Sequence, residues 1–150
     1  MMRPRGFSLV ELVVVMVLIA ALAALGLGAI GSGLPGQQLR GAAKELAAEL
    51  RFTRAQAIAT GREQVFRIDV GEKRWQGAGE RSGELPADIA LEVTGAREEL
   101  ETPQVVAIRF FPEGAATGGR LVLRNGEAAW RVDVAWLTGE VRLRRGEGEP

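Results

Sequence analysis

Ser8 and Glu11 stand three residues apart at the start of a long apolar run. A hydroxyl and a carboxylate at that spacing form a capping box, satisfying orphan amides at a helix N-terminus. Capping explains a helix start, but not why Gly6-Phe7 comes immediately before it. Nor does it explain a carboxylate in a segment otherwise suited to a membrane. At mid-bilayer that group costs roughly 2.5–3.5 kcal/mol, so Glu11 needs a partner that offsets it.

Other reactive chemistry is scarce. Cysteine is absent, which excludes a disulfide framework, a thiolate metal site and a cysteine nucleophile. Histidine and tyrosine are absent too, removing the usual general base at neutral pH and the commonest metal ligand. No residue set able to run a reaction stands out, so neither an enzyme nor a cofactor is expected. Nineteen basic residues balance nineteen acidic ones, leaving no global field to draw in nucleic acid or anionic lipid. Seventeen of the bases are arginine; with abundant Ala and Gly, that reads as codon bias more than chemistry.

Four further groups have residue types that could form sites. Trp75, Trp130 and Trp136 could stack nucleic-acid bases, but Trp130 reads as core and the other two as core edge or subunit contact. Glu98, Glu99 and Glu101 lack the matching oxygen donors that calcium requires and read as a solvated loop. Gly114, Gly118 and Gly119 precede no Gly-Lys-Ser/Thr, so they form a wide turn and not a phosphate loop. Arg142, Arg144 and Arg145 could grip phosphates, yet Glu147 and Glu149 dilute the patch.

The elements that must position Glu11 begin with the apolar run. Residues 12–36 carry no charge, and the densest part, residues 12–30, is 19 residues long. That is about 28 Å of helix against a hydrocarbon core of about 30 Å. Arg3 and Arg5 precede it, which places the N-terminus in the cytoplasm and the remainder outside. Gly31, Ser32, Gly33, Pro35 and Gly36 should loosen or end the helix at the outer interface. An ordinary signal peptide cut near Ala21-Leu22-Ala23 is the alternative; Glu11 and the continuation of the apolar run past Ala23 argue against it.

About 110 residues remain for a soluble domain. Leu39, Ala43, Leu46, Leu50 and Ala57 share one helical face, with Ile58 beside it. Arg40, Lys44, Glu45, Glu49, Arg51 and Arg54 mark the solvent side, and Gly61 ends the helix. Strands follow: residues 64–70, with Phe66, Ile68 and Val70 on one face; then Ile89, Leu91 and Val93; then Val106, Ile108 and Phe110. Residues 120–124 and 129–134 flank Asn125-Gly126, a strong hairpin signal. Leu137-Thr138-Gly139 turns the chain into a last strand, residues 141–143. Residues 77–86 and 95–103 read as polar loops.

Gly6-Phe7-Ser8-Leu9-Val10-Glu11, with a short basic leader before it and about twenty apolar residues after it, closely resembles the signal of type IV pilins and type II secretion pseudopilins. The resemblance implies that a prepilin peptidase cuts between Gly6 and Phe7 and methylates the new amine of Phe7. It implies also that Glu11 pairs with the N-terminal amine of a neighbouring subunit and sets the register of a helical filament. Many major pilins have a proline partway along this helix; here Gly26 and Gly28 occupy that region. Within the family, the stretches "LRFTRAQAIATGREQVFRIDV" and "IRFFPEGAATGGRLVL", with Trp75 and Leu85-Pro86, look like the H-type minor pseudopilins and the related FimT-type minor pilins. FimT-type proteins of DNA uptake share a C-terminal Gly-Arg-x-Arg pattern, but here Gly139-Glu140-Val141-Arg142 puts a carboxylate in place of the first arginine.

The expectation is therefore an α+β, type IV pilin-like fold, a long N-terminal helix packed on two antiparallel β-sheets. Residues 1–6 form the leader, 7–36 the transmembrane and filament-core segment, 37–61 the amphipathic helix, 62–145 the periplasmic β domain and 146–150 a polar tail. The expected function is that of a minor pseudopilin near the tip of the periplasmic pseudopilus, promoting export of folded proteins. A FimT-like minor pilin, serving pilus assembly or DNA uptake, is the alternative. Expected partners are the prepilin peptidase, other major and minor pseudopilins and the inner membrane before assembly; nucleic acid is not expected. Leader removal deletes Arg3 and Arg5, leaving 17 basic against 19 acidic side chains, a balance of −2.

Overall fold

A computed structural model describes residues 9–31, 34–95 and 104–146. Gly6, Phe7 and Ser8 lie outside them, as do Glu98, Glu99, Glu101, Glu147 and Glu149. The chain divides into two compact units, Met1–Pro35 and Gly36–Pro150.

In the first unit, α1 (Leu9–Gly31) is an unbroken helix of 23 residues. Helix α2 (Leu34–Thr60) begins just after it. Gly31, expected to loosen the helix, is instead the last residue of α1, and Pro35 falls in the first turn of α2. Proline is tolerated in a first turn because its missing N–H would have no intrahelical acceptor there.

In the second unit, α2 lays one apolar stripe on the core. Leu39, Ala43, Leu46, Leu50 and Ala57 are all fully buried, whereas Ile58 is half exposed. Gly61 has φ +62°, the left-handed conformation that ends a helix where Cβ would be costly. Glu49 departs from the expected solvent side, being only 6% exposed. Its carboxylate accepts from Arg81 Nε at 2.8 Å and from Arg81 Nη2, so a carboxylate on the buried side of the helix has a cation in reach.

The strands form two antiparallel four-stranded sheets. One has the order β3 (Ser82–Glu84), β2 (Arg74–Gln76), β1 (Gln64–Asp69), β5 (Val105–Phe110); the other runs β4 (Ala90–Gly95), β6 (Gly119–Asn125), β7 (Ala128–Val134), β8 (Val141–Arg145). One apolar core takes side chains from α2 and from both sheets, among them Leu46, Phe66, Ile108, Leu123 and Val132. Polar links from α2 reach outward from it: Arg51 Nη2 donates to the Val141 carbonyl of β8 at 2.9 Å, and Arg40 lies 5.8 Å over the Trp130 ring of β7. The helix thus engages the β4-β6-β7-β8 sheet by these contacts and the segment leading into β3 through Arg81.

Two details differ from the sequence expectation. Residues 77–86 are not simply a loop: a 3₁₀ turn (Ala78–Glu80) and β3 lie within them. Ala78 N–H donates to buried Thr53 Oγ1 on α2 at 3.4 Å, which secures the turn. The roles of the tryptophans also change. Trp75 is buried, stacked on Phe66 with centroids 6.0 Å apart, and Gly83 of β3 crosses its ring so closely that a Cβ there would collide. Trp130 only edges the core, and Trp136 is 69% exposed.

Candidate functional site

Glu11 sits in the first turn of α1. There its negative charge meets the positive end of the helix dipole. Its described neighbours on the helix are bare: the large apolar side chains of residues 9–19 are between 44% (Val15) and 79% (Leu9) exposed. Among the described residues, Glu11 has no hydrogen-bonding or ion-pair partner. Apart from Glu11, the side chains described for residues 9–20 are apolar, so this stretch has little polar surface to offer water. Among the described residues no helix is long and apolar enough to cross a membrane; the side chains of α1 are described only for residues 9–20. Glu11 is the one sequence-predicted site residue that the structure describes.

A second set of charged groups lies on the β4-β6-β7-β8 sheet. Along β6 the alternation sends Leu121 and Leu123 into the core and Arg120 and Arg124 to the opposite face. Register then assembles a polar row. Arg120 lies opposite Asp133, and Asp133 opposite Arg142. Two residues along, on the same face, Arg131 lies directly opposite Arg144. Asp133 is shared, taking Arg120 Nε at 2.7 Å on one oxygen and Arg131 Nε at 3.2 Å on the other. Arg142 Nη2 donates to Glu140 Oε2 at 2.6 Å. That hydrogen bond holds the Glu140 carboxyl below the usual carboxylate range and raises the Arg142 guanidinium. These residues line an open groove of about 760 Å³, reaching Thr94 on one side and Trp136 on the other.

Here the structure separates residues that the sequence put side by side. Arg142 and Arg144 share the groove face, but Arg145 falls on the opposite side of the pleat, opposite Trp130. Arg120 and Arg131, which sequence reasoning passed over, take its place. The hairpin at Asn125-Gly126 held the signal, because fixing its register places Arg120 against Asp133.

The turn beside the groove is held from several directions. Ala135 N–H donates to Glu140 O at 3.0 Å, Gly139 N–H to Ala135 O at 2.8 Å, and Ala116 N–H to Trp136 O at 2.9 Å. Gly139, at φ +61°, runs against the Gly114 carbonyl, so no side chain fits there. Arg54 Nε of α2 donates to that same carbonyl at 3.0 Å. From this fixed turn Trp136 and Leu137 project, 69% and 66% exposed. Among the described residues, no group of three potential ligand side chains could hold a metal ion.

The family model described as "Type II transport protein GspH" matches residues 42–139, and that of the "Prokaryotic N-terminal methylation motif" matches residues 1–32. A protein of Xanthomonas campestris pv. campestris named Type II secretion system protein H is 49% identical over 138 residues, covering 92% of this chain and 82% of its own length. A Pseudomonas aeruginosa protein of the same name is 32% identical over 107 residues, 63% of this chain and 62% of that one. Among solved structures, the minor pseudopilin EpsH of Vibrio cholerae superposes with a TM-score of 0.60 at 18% identity, covering 74% of this chain and 99% of that chain. The type IV minor pilin FimU of Pseudomonas aeruginosa gives 0.57 at 15% identity, over 74% and 94%. At those identities the two structures speak for the fold, a helix with two antiparallel sheets.

Proposed function

This chain belongs to the GspH family of type II transport proteins, and we propose from that premise how it serves type II secretion. It is a minor pseudopilin. Made as a prepilin, it is held in the inner membrane by α1, with its N-terminus in the cytoplasm and residues 36–150 in the periplasm. The prepilin peptidase removes residues 1–6 by cutting between Gly6 and Phe7, and the amine of Phe7 is methylated. The chain then leaves the bilayer and joins other pseudopilins near the tip of a short pseudopilus, which promotes export of folded proteins. Its work is mechanical and recognitional, with no reaction of its own.

The observation that carries the mechanism is Glu11 in the first turn of a helix whose other described side chains are apolar and bare. In lipid that carboxylate is costly. Paired with the N-terminal amine of a neighbouring subunit near 4 Å, it gains about 4 kcal/mol at an effective dielectric near 20. Assembly therefore supplies the partner that the membrane lacks, and only one axial register brings the two charges together. The apolar side chains exchange lipid for the helices of other subunits at little cost. A FimT-like minor pilin remains the weaker reading, since FimU shares the fold at 15% identity while a type II secretion protein is 49% identical over most of the chain.

Processing is tested by intact-mass analysis of the chain extracted from membranes of a strain with an active prepilin peptidase. The expected species lacks residues 1–6 and carries one extra methyl group on Phe7. An uncut chain, or one shortened near Ala23, would overturn this reading in favour of a simple anchor or a cleaved signal peptide.

A further inference from the structure

The groove on the β4-β6-β7-β8 sheet is overbuilt in positive charge for a structural surface. Four arginines line it, Arg120, Arg131, Arg142 and Arg144, against the carboxylates of Asp133 and Glu140. Asp133 already serves two arginines, and Glu140 serves Arg142. Arg144 has no carboxylate within ion-pair distance among the described residues, and it stands directly opposite Arg131 in the ladder. Like charges at directly opposed positions destabilise a sheet. Asp133 answers Arg131, so the charge left over on this face is that of Arg144. An anion in the groove beside Arg144 balances it.

The groove also has an apolar end. Trp136 lines it, and Leu137 projects beside it from the same turn. Three backbone hydrogen bonds and the close approach of Gly118 to the Trp136 backbone hold this turn in place. Little side-chain or loop entropy is then lost when a partner covers it. Tryptophan and arginine together are the residue types that carry most binding energy at protein interfaces.

We propose that this groove docks an extended, carboxylate-bearing segment of a protein partner, with Trp136 as the apolar anchor and Arg142 and Arg144 as the carboxylate contacts. Spacing supports an extended peptide: Arg142 and Arg144 are two residues apart on one strand face, about 6.8 Å, which is the repeat of alternate side chains in an extended chain. Nucleic acid fits less well. Asp133 and Glu140 interrupt the arginines, so a continuous phosphate backbone would meet carboxylates as well as cations, and the exposed Leu137 offers it nothing. Docking here needs only the β4-β6-β7-β8 sheet and the turn at Trp136, and does not depend on pseudopilus assembly.

The test uses the full chain in detergent micelles and fluorescence anisotropy. The probe is a fluorescein-labelled peptide of alternating glutamate and serine ending in leucine. The same peptide with glutamine for glutamate and a single-stranded oligonucleotide of equal charge serve as comparisons. The expected result is saturable binding of the glutamate peptide only, weakened about tenfold or more by Arg144→Glu and, separately, by Trp136→Ala. Both positions are exposed, so each variant should keep the parent's urea midpoint, which is measured alongside. No saturable binding by the parent, or equal binding by both variants, would overturn the proposal. Tighter binding of the oligonucleotide would overturn it as well, moving the groove to nucleic acid.

Discussion

Arg81 reaches back across the core edge to place its guanidinium on Glu49, with Nε 2.8 Å from Oε2 and Nη2 on the other oxygen. The two partners differ in exposure: the Arg81 side chain is half exposed, that of Glu49 8%. Removing the arginine therefore strands a buried carboxylate, whereas removing both leaves an apolar contact. Arg81→Ala should lower the thermal midpoint more than the double variant Glu49→Leu/Arg81→Ala does. If the double variant falls further than the single one, the pair is a net source of stability and not a means of tolerating Glu49.

Gly139 and Gly126 both have φ near +60°, yet they should respond differently to alanine. At Gly126 a Cβ meets nothing within 4 Å, so Gly126→Ala costs about 1–2 kcal/mol of left-handed strain. At Gly139 the same strain adds to a collision with the Gly114 carbonyl and Arg54, and the loss should be about twice as large or more. Urea denaturation of both variants compares them, and equal losses would mean that the turn yields easily.

The tryptophans give a contrast of burial. Trp75→Ala opens a cavity beside Phe66 and should cost about 3–5 kcal/mol. Trp136→Ala removes an exposed ring and should stay within about 0.5 kcal/mol of the parent. Chemical denaturation followed by far-ultraviolet circular dichroism reads both. A large loss at Trp136 would show that its ring supports the fold.

Hydrogen bonding from Arg142 depresses the Glu140 carboxyl. A carboxyl held lower in the folded chain than in the unfolded one adds stability above the unfolded value and loses it as pH falls through the folded value. The thermal-midpoint difference between the parent and Arg142→Ser should therefore be present at neutral pH and vanish on acidification below the carboxylate range. The raised Arg142 changes nothing between these pH values, since it stays charged throughout. A difference independent of pH would mean that Arg142 acts by packing.

Alternation and helical spacing made most of the frame legible. Phe66, Ile68, Val106, Ile108 and Phe110 all lie in or against the core as their spacing requires. The hairpin forms too, but its two-residue loop is Gly126-Glu127, because Asn125 pairs with Ala128. Asn125 instead bonds Asp88 through its side chain at 2.7 Å. Strands β2 and β3, three residues each, are too short to show a period. Glu49 looked solvent-facing because the arginine that lets it be buried is 32 residues away. The groove was half visible: Arg142 and Arg144 alternate along β8, but only the register brings Arg120 of β6 and Arg131 of β7 beside them. Glu11 needed no structure to be noticed, since one carboxylate in an apolar run is a local signal.

The most direct measurement is a clean deletion in the source organism, scored for secretion of exoproteins and for natural transformation in the same strains. Secretion should be lost while DNA uptake stays normal, and it should be restored by the intact gene but not by its Glu11→Ala form. Normal secretion with lost uptake would contradict it and move the protein to the FimT side. Full rescue by Glu11→Ala would contradict the assembly role of the carboxylate and leave α1 as an inert anchor.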